Sequence, residues 1–280
     1  MTEPRLHPRF GLEVRGRDLR RLTDSEIDEI RGLLAHHGVL LFRDQVLTDE
    51  DLFNFSSAIG DGRMDQSADR IALSALNAAI SNLTNLRDEH NTPLGFGRND
   101  TDYWHSDQEY RRAPATLASL YCLIPSPRGG DTSFAATGVD TLGLSDELIA
   151  RLRPLKSTRR PAPTHDNVEH IEVAHPLMLR NPVSGKDSLY ISELLIRFLD
   201  VEEEEGHALK RELLNHVLAE ENIYHHQWRF GDLLLFDNTQ STHRREAFDG
   251  IRWMKATKIF APKDWFAVPA GEVVNAAQPA

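Results

Sequence analysis

The sequence predicts a mainly β fold with flanking helices, of the sandwich or jelly-roll barrel type. Three observations carry that expectation. From residue 115 onward the chain offers short strand candidates, "ATLASLYCLI", "TSFAA", "VAHPLML", "SLYIS", "DLLLFDN" and "RWMKATKIF". Stretches rich in Pro and Gly, such as "PSPRGGD" and "NPVSGKD", separate them as turns. Helical periodicity is concentrated near the N-terminus and in two later interruptions. Many short strands in one unit bury their apolar faces by packing or closing on one another, as sandwiches and jelly rolls do.

The elements follow in order. "LTDSEIDEIRGLLAHHG" reads as an amphipathic helix: Thr23 and Glu26 match a capping box, Ile27, Ile30, Leu33 and Leu34 form one stripe, and Gly38 suits the stop. "VLLFRDQ" reads as a buried strand. A second helix follows in "LTDEDLFNFSSAIG", capped by Thr48, with Leu52, Phe55 and Ile59 inward and Gly60 at its end. Residues 61–102 scatter Gly, Asp, Asn and Arg among short apolar runs and read as mostly loop. A loop of that length in a compact domain is expected to be an active-site lid or binding segment. Among the later strands, "LSDELIARL" and "EEEEGHALKRELLNHVLAE" read as helices; Glu202 to Glu205 crowd the first turn of the second, where the helix dipole favours negative charge. No repeat or low-complexity linker interrupts the chain, so one domain is expected over residues 1–280, with 265–280 as a C-terminal tail.

Composition narrows the function. Hydrophobic residues make up 40% and charged residues 27% of the 280, values of an ordinary globular protein. A formal net charge of −11 argues against general nucleic-acid binding, which needs a basic face to displace counterions from phosphates. Cys122 is the only cysteine, so neither an intrachain disulfide nor a Cys-based zinc site is available, and it reads as an inert core thiol. The N-terminal "MTEPRLHPRFGLEV" lacks an apolar leader, and runs such as "GVLLF" are too short to cross a bilayer. A cytoplasmic protein with a small-molecule partner is expected, with homo-oligomer formation left open.

Any metal must therefore use nitrogen and oxygen ligands. In "TDYWHSDQEYRR", His105 and Asp107 stand two apart beside Trp104 and Tyr110, which read as wall packing. With 13 histidines in the chain, roughly one His-x-Asp arises by chance, and His170-x-Glu172 competes. A third ligand is offered by His243, beyond the apolar run Leu233 to Phe236 in "WRFGDLLLFDNTQSTHRREAFDG". His225 and His226 read instead as strand-edge polar residues. In "RWMKATKIF", strand alternation puts Arg252, Met254, Ala256 and Lys258 on one face and Lys255 on the other. An inward guanidinium is costly unless a carboxylate meets it. Two histidines and one carboxylate make the facial triad that leaves Fe(II) three open positions for a chelating cosubstrate and oxygen; Arg252 would then hold the far carboxylate of that cosubstrate.

These stretches resemble the TauD/TfdA family of Fe(II)- and 2-oxoglutarate-dependent dioxygenases. The similarity runs through "HHGVLLFRDQ", "WHSDQEYRRAPATLASLYCLIPSPRGGDTSFA", "HPLMLRNPVSGKDSLYIS" and "WRFGDLLLFDNTQSTHRR", in family order. It implies a double-stranded β-helix (jelly-roll, cupin-like) core, with His105, Asp107 and His243 as iron ligands, and Thr132 and Arg252 holding 2-oxoglutarate. It also implies oxidative decarboxylation of 2-oxoglutarate by O2 to succinate and CO2, coupled to substrate hydroxylation. Related halogenases lack the carboxylate ligand, so Asp107 disfavours halogenation.

The substrate is less constrained. In taurine and 2,4-dichlorophenoxyacetate dioxygenases an arginine four positions beyond the cosubstrate arginine binds the substrate anion; here that position is Ala256. Arg111 and Arg112, just past the metal loop, lead as replacements, with Arg98 and Lys258 behind them and Arg63 and Arg70 weaker. A small, carboxylate-bearing substrate ranks first. A noncatalytic iron and 2-oxoglutarate sensor, or a metal-dependent hydrolase using the same ligands, are the competing classes.

Overall fold

Both N-terminal helices begin at the caps read from the sequence. In the computed structural model, which describes residues 4–66, 78–97, 103–161, 169–262 and 270–274, β1 (Leu12–Glu13) precedes α1 (Asp24–His37), and β2 (Val39–Phe42) precedes α2 (Asp49–Ile59). Thr23 accepts from the Glu26 amide while Glu26 returns the contact to the Thr23 amide, and Thr48 and Asp51 do the same for α2. Each such cap satisfies amides that the first helical turn leaves without partners.

The remaining strands are β3 (Ile80–Thr84), β4 (Leu117–Ile124), β5 (Arg128–Gly129), β6 (Thr132–Ala136), β7 (Lys156–Arg159), β8 (Val173–Pro176), β9 (Met178–Arg180), β10 (Asp187–Leu189), β11 (Ile223–His226), β12 (Leu233–Asp237), β13 (Ser241–Arg245), β14 (Phe248–Asp249), β15 (Trp253–Ile259) and β16 (Glu272–Val273). Helices α3 (Val139–Leu142), α4 (Asp146–Leu152) and α5 (Glu203–Val217) lie among them. A six-stranded sheet runs β1-β2-β12-β4-β15-β3 and a three-stranded sheet runs β11-β6-β13. Beyond β11 the chain passes from this smaller sheet to the larger in β12, back in β13 and across again in β15. This is the jelly-roll arrangement.

Side-chain alternation explains why β2 and β12 read as unbroken apolar runs. Leu40, Phe42, Leu233 and Leu235 pack outward against Ile30, Leu34, Leu52 and Ile59 of α1 and α2. Val39, Leu41, Leu234 and Phe236 point the other way, into an interior cluster with Phe134 and Ala136 of β6. Phe134 meets Phe236 edge-on at 5.1 Å between centroids. A third cluster packs α4 and α5 with Ala135, the outward neighbour of Phe134. Cys122 is buried in β4, and burial pushes its thiol up to about 12, as expected of an inert core residue.

Two local expectations need correction, and two segments carry strands that the sequence did not show. Residues 61–102 are mostly loop where described, as expected, but include β3, which closes one edge of the large sheet by pairing with β15. Its apolar signal is weak because Asn82 is buried by accepting from the Trp253 indole. "VAHPLML" is two strands in different sheets, β8 and β9, divided at Leu177. His243 lies not in a polar exit from β12 but within β13, opposite Phe134. Part of the expected tail docks as β16 on β8. Residues 67–77 and 98–102 of the expected lid, with Arg70 and Arg98, lie outside the described residues. No helix among the described residues is long and apolar enough to cross a membrane.

Candidate active site

The two histidines of the expected triad, 138 residues apart by number (243 − 105), are joined through their backbones. His105 N–H donates to the His243 carbonyl at 3.0 Å and His243 N–H to the His105 carbonyl at 2.9 Å, an antiparallel bridge. Their ring centroids are 4.4 Å apart, with the His243 ring against Phe134 and Phe236. Asp107 joins them: one ligand atom from each of the three residues lies within 4.8 Å of the others. The His105 Nδ1–H donates to the Tyr103 carbonyl at 2.9 Å, which leaves Nε2 as the nitrogen available to a metal. His170 and Glu172 are not part of this group; Glu172 pairs with Arg197.

Residues that sequence reading missed hold the His105–Asp107 loop in shape. The Asp107 amide donates to Asn238 Oδ1 at 3.0 Å, and the Trp104 amide donates to Glu193 Oε2 at 2.7 Å. The Ser106 amide donates to Glu109 Oε1 at 3.0 Å. Glu109 is itself fully buried, and Arg159 Nε at 2.6 Å and the Ser192 hydroxyl both donate to it. Trp104 packs in the cluster under α5, as wall packing should.

Electrostatics make the three donors fit a divalent metal. Burial alone would raise the Asp107 carboxyl, but Lys258, His243 and His105 around it hold it well below the usual carboxylate range. Burial, with His105 adding to it, pushes His243 down to about 3 despite Asp107. A carboxylate ligand ready-ionised and a neutral imidazole are the forms that coordinate. The His243 Nδ1 is buried without a hydrogen-bond partner.

Arg252, 4% exposed, lies immediately before β15. The β15–β4 register shifts between Trp253 and Met254, a bulge of the kind that re-aims side chains. Gly130, at φ +77°, lets the guanidinium stem pass: a Cβ there would lie 3.3 Å from Arg252 Cδ. Burial lowers the Arg252 pKa to about 10, with Arg245 adding to the effect. Its Nε has no hydrogen-bond partner, and no carboxylate among the described residues pairs with it. Thr132 of β6 faces the same interior, directly opposite Arg245 of β13. Both Arg245 and Arg252 approach the Phe248 ring, at 5.5 and 5.8 Å. Arg245 was not anticipated from the sequence.

The substrate-side candidates separate. Lys258 pairs directly with Asp107. Arg111 lies 3.7 Å from Asp65, over the Tyr110 ring, and Arg112 is exposed, donating to the Gly271 carbonyl at 3.1 Å. Arg63 donates to the Ala261 carbonyl. Ala256 sits in the interior apolar cluster, while Lys255 points to the opposite face and pairs with Asp49 of α2.

Known proteins resemble this chain. Residues 4–257 match the family described as "Taurine catabolism dioxygenase TauD, TfdA family". The chain is 27% identical over 265 residues to the alpha-ketoglutarate-dependent 2,4-dichlorophenoxyacetate dioxygenase of Cupriavidus pinatubonensis, covering 87% of this chain and 91% of that protein. It is 24% identical over 267 residues to pentalenolactone F synthase of Streptomyces avermitilis, covering 86% and 87%. Among solved structures, AAD-2 in complex with Mn(II) and N-oxalylglycine superposes with a TM-score of 0.81 at 26% identity, covering 96% of this chain and 99% of that one. With the family match spanning nearly the whole chain and the fold and donor set agreeing with it, this protein belongs to the TauD/TfdA family of dioxygenases.

Proposed function

We propose that this chain is an Fe(II)- and 2-oxoglutarate-dependent dioxygenase that hydroxylates a small, carboxylate-bearing organic substrate. The observation that carries the reading is the pairing of two unmet demands in one barrel. One is a His-Asp-His donor set within 4.8 Å, and the other is the buried Arg252 guanidinium, to which no carboxylate is paired among the described residues. A chelating dicarboxylate that spans from metal to arginine answers both.

His105, Asp107 and His243 would hold Fe(II), and the bound metal with O2 supplies the oxidation that turns 2-oxoglutarate into succinate and CO2. Arg252 clamps the distal carboxylate through paired N–H donors and Thr132 adds a hydroxyl. Lys258 takes the substrate anion. It lies on the same strand face as the sealed Ala256, one pleat of about 6.6–6.8 Å nearer the triad, and its ammonium already reaches Asp107. Arg111 and Arg112 are engaged elsewhere and rank below it. Arg98 stays a candidate from sequence alone. A cytoplasmic location stays part of the proposal, and the acidic net charge favours small molecules over nucleic acid as the substrate.

The test is oxygen-dependent succinate release from 2-oxoglutarate by Fe(II)-loaded protein across a panel of small carboxylates. Succinate formed in step with O2 consumption is expected. Tight binding of metal and 2-oxoglutarate with no oxygen-dependent succinate would leave a sensor, and turnover without O2 would leave a hydrolase.

A further inference from the structure

Thr132 is 2% exposed, and its Oγ1 accepts a hydrogen bond of 3.0 Å from the indole Nε1 of Trp228. Chemistry sets the direction, because an indole N–H can only donate. A threonine hydroxyl has one proton and two lone pairs. With Trp228 occupying a lone pair, the proton is turned elsewhere, and no acceptor among the described residues takes it. Alternation in β6 places Thr132 with Phe134 and Ala136 on the interior face; Ser133, one residue on, faces out to His225 and Glu246. Arg245 is the cross-strand partner of Thr132 and lies with Arg252 about the Phe248 ring, so an anion held by these arginines is an acceptor for that proton.

Trp228 is in turn held by a buried polar chain. Its ring stands edge-on to His226 at 4.4 Å and 86°. His226 Nε2 lies 3.1 Å from Asp232 Oδ2, and the Tyr224 hydroxyl lies 2.8 Å from Nδ1. Those partners suit a neutral imidazole, with N–H toward the carboxylate and the other nitrogen accepting. Arg43 closes the chain by donating to Asp232 at 2.9 Å. His226 is also the cross-strand partner of Thr132 in the β11–β6 register, so the same backbone pairing that sets Thr132 sets the support under Trp228.

We infer that Trp228 is a positioning residue for the distal carboxylate of 2-oxoglutarate, acting through Thr132: the indole N–H fills an acceptor site on the threonine and so commits its hydroxyl proton to the anion. The inference rests on the cosubstrate reading above. It predicts that Trp228 and Thr132 work as one unit, whereas Arg252 contributes separately.

The experiment is calorimetric titration of 2-oxoglutarate into Zn(II)-loaded protein, where no turnover occurs. Trp228→Phe keeps the ring against His226 and should weaken binding roughly five- to tenfold, the net size of one hydrogen bond, with Zn(II) affinity unchanged. Thr132→Val should weaken it at least as much, and the double variant should bind no worse than Thr132→Val. Wild-type affinity in Trp228→Phe, or an equal further loss when it is added to Thr132→Val, overturns the inference while leaving the anchor intact. Wild-type affinity in Thr132→Val overturns the anchor and the inference together. A second measurement does not require Trp228→Phe to fold. Of the four tryptophan indole 15N–H resonances, one should move on adding 2-oxoglutarate to the wild type, and that same one should be displaced in Thr132→Val. If no resonance responds to both, the inference falls.

Discussion

Arg159 and Arg252 are both buried guanidiniums, in the same protein, with opposite surroundings. Arg159 donates to Glu109 Oε2 at 2.6 Å, to the Ser157 hydroxyl and carbonyl at 2.9 and 3.1 Å and to the Tyr190 carbonyl, and it covers the Tyr190 ring at 4.7 Å. Arg252 has an orphaned Nε and borders a second arginine. A charge taken out of water must be compensated somewhere. The fold compensates Arg159 within the chain, behind the His105–Asp107 loop, and gives Arg252 no carboxylate among the described residues. The first arginine is thus completed by the structure, and on the proposed reading the second is completed by the cosubstrate.

The largest expected effect is on catalysis. Replacing His105, Asp107 or His243 with Ala should abolish turnover and metal binding, with the circular dichroism spectrum kept, because in the proposed site these groups, like Arg252, meet a ligand rather than the core. Full activity in His243→Ala would remove the third ligand. Next comes Glu109→Ala, which strands Arg159 without its carboxylate and should cost on the order of 3–5 kcal/mol in denaturant unfolding. Arg252→Gln removes a charge that the metal-free protein does not compensate, so it should cost that protein far less. Equal losses in the two variants would erase the contrast between the arginines.

Cosubstrate affinity sharpens the comparison from the other side. In anaerobic Fe(II) protein, Arg252→Gln should weaken 2-oxoglutarate binding by about 2–5 kcal/mol, and Lys255→Gln by well under about 1. The reverse order would place Lys255 rather than Arg252 on the cosubstrate side.

Acid should loosen the metal-free site. His243 is held down from 6.5 to about 3, so as pH falls through that window the unfolded chain takes up a proton that the folded chain refuses. Stability from this residue is full above about 6.5 and is lost on going down, at up to about 1.4 kcal/mol per pH unit. His243→Ala should flatten that slope in metal-free protein, and an unchanged slope would discount His243 as the source. The smallest effect is expected at Lys258: Lys258→Met should raise substrate KM about tenfold and leave the 2-oxoglutarate KM alone, the pattern of lost substrate binding. A change confined to the 2-oxoglutarate KM would move Lys258 out of the substrate site.

Local chemistry made much of the molecule legible. Thr23 and Thr48 announced their helices because a capping box is written within four residues. The alternation of β15 separated Met254, Ala256 and Lys258 from Lys255, because the side-chain period of a strand is two. The spacing of His105 and Asp107 was equally local.

What sequence did not reveal depends on residues far apart in the chain. β3 was lost because its buried Asn82 takes its hydrogen from Trp253, 171 residues away. Glu109 carried no signal, since the arginine that permits its burial is 50 residues on. Asn238 holds the Asp107 amide across 131 positions, and Trp228 holds Thr132 across 96. The sequence by itself determined most element types, the apolar faces and the candidate donor residues, because caps, periodicity and ligand chemistry act over a few residues. Only the tertiary structure decided which polar groups meet, which buried arginine is paired with a carboxylate and which one has none among the described residues, because compensating a buried charge depends on distance in space and not along the chain.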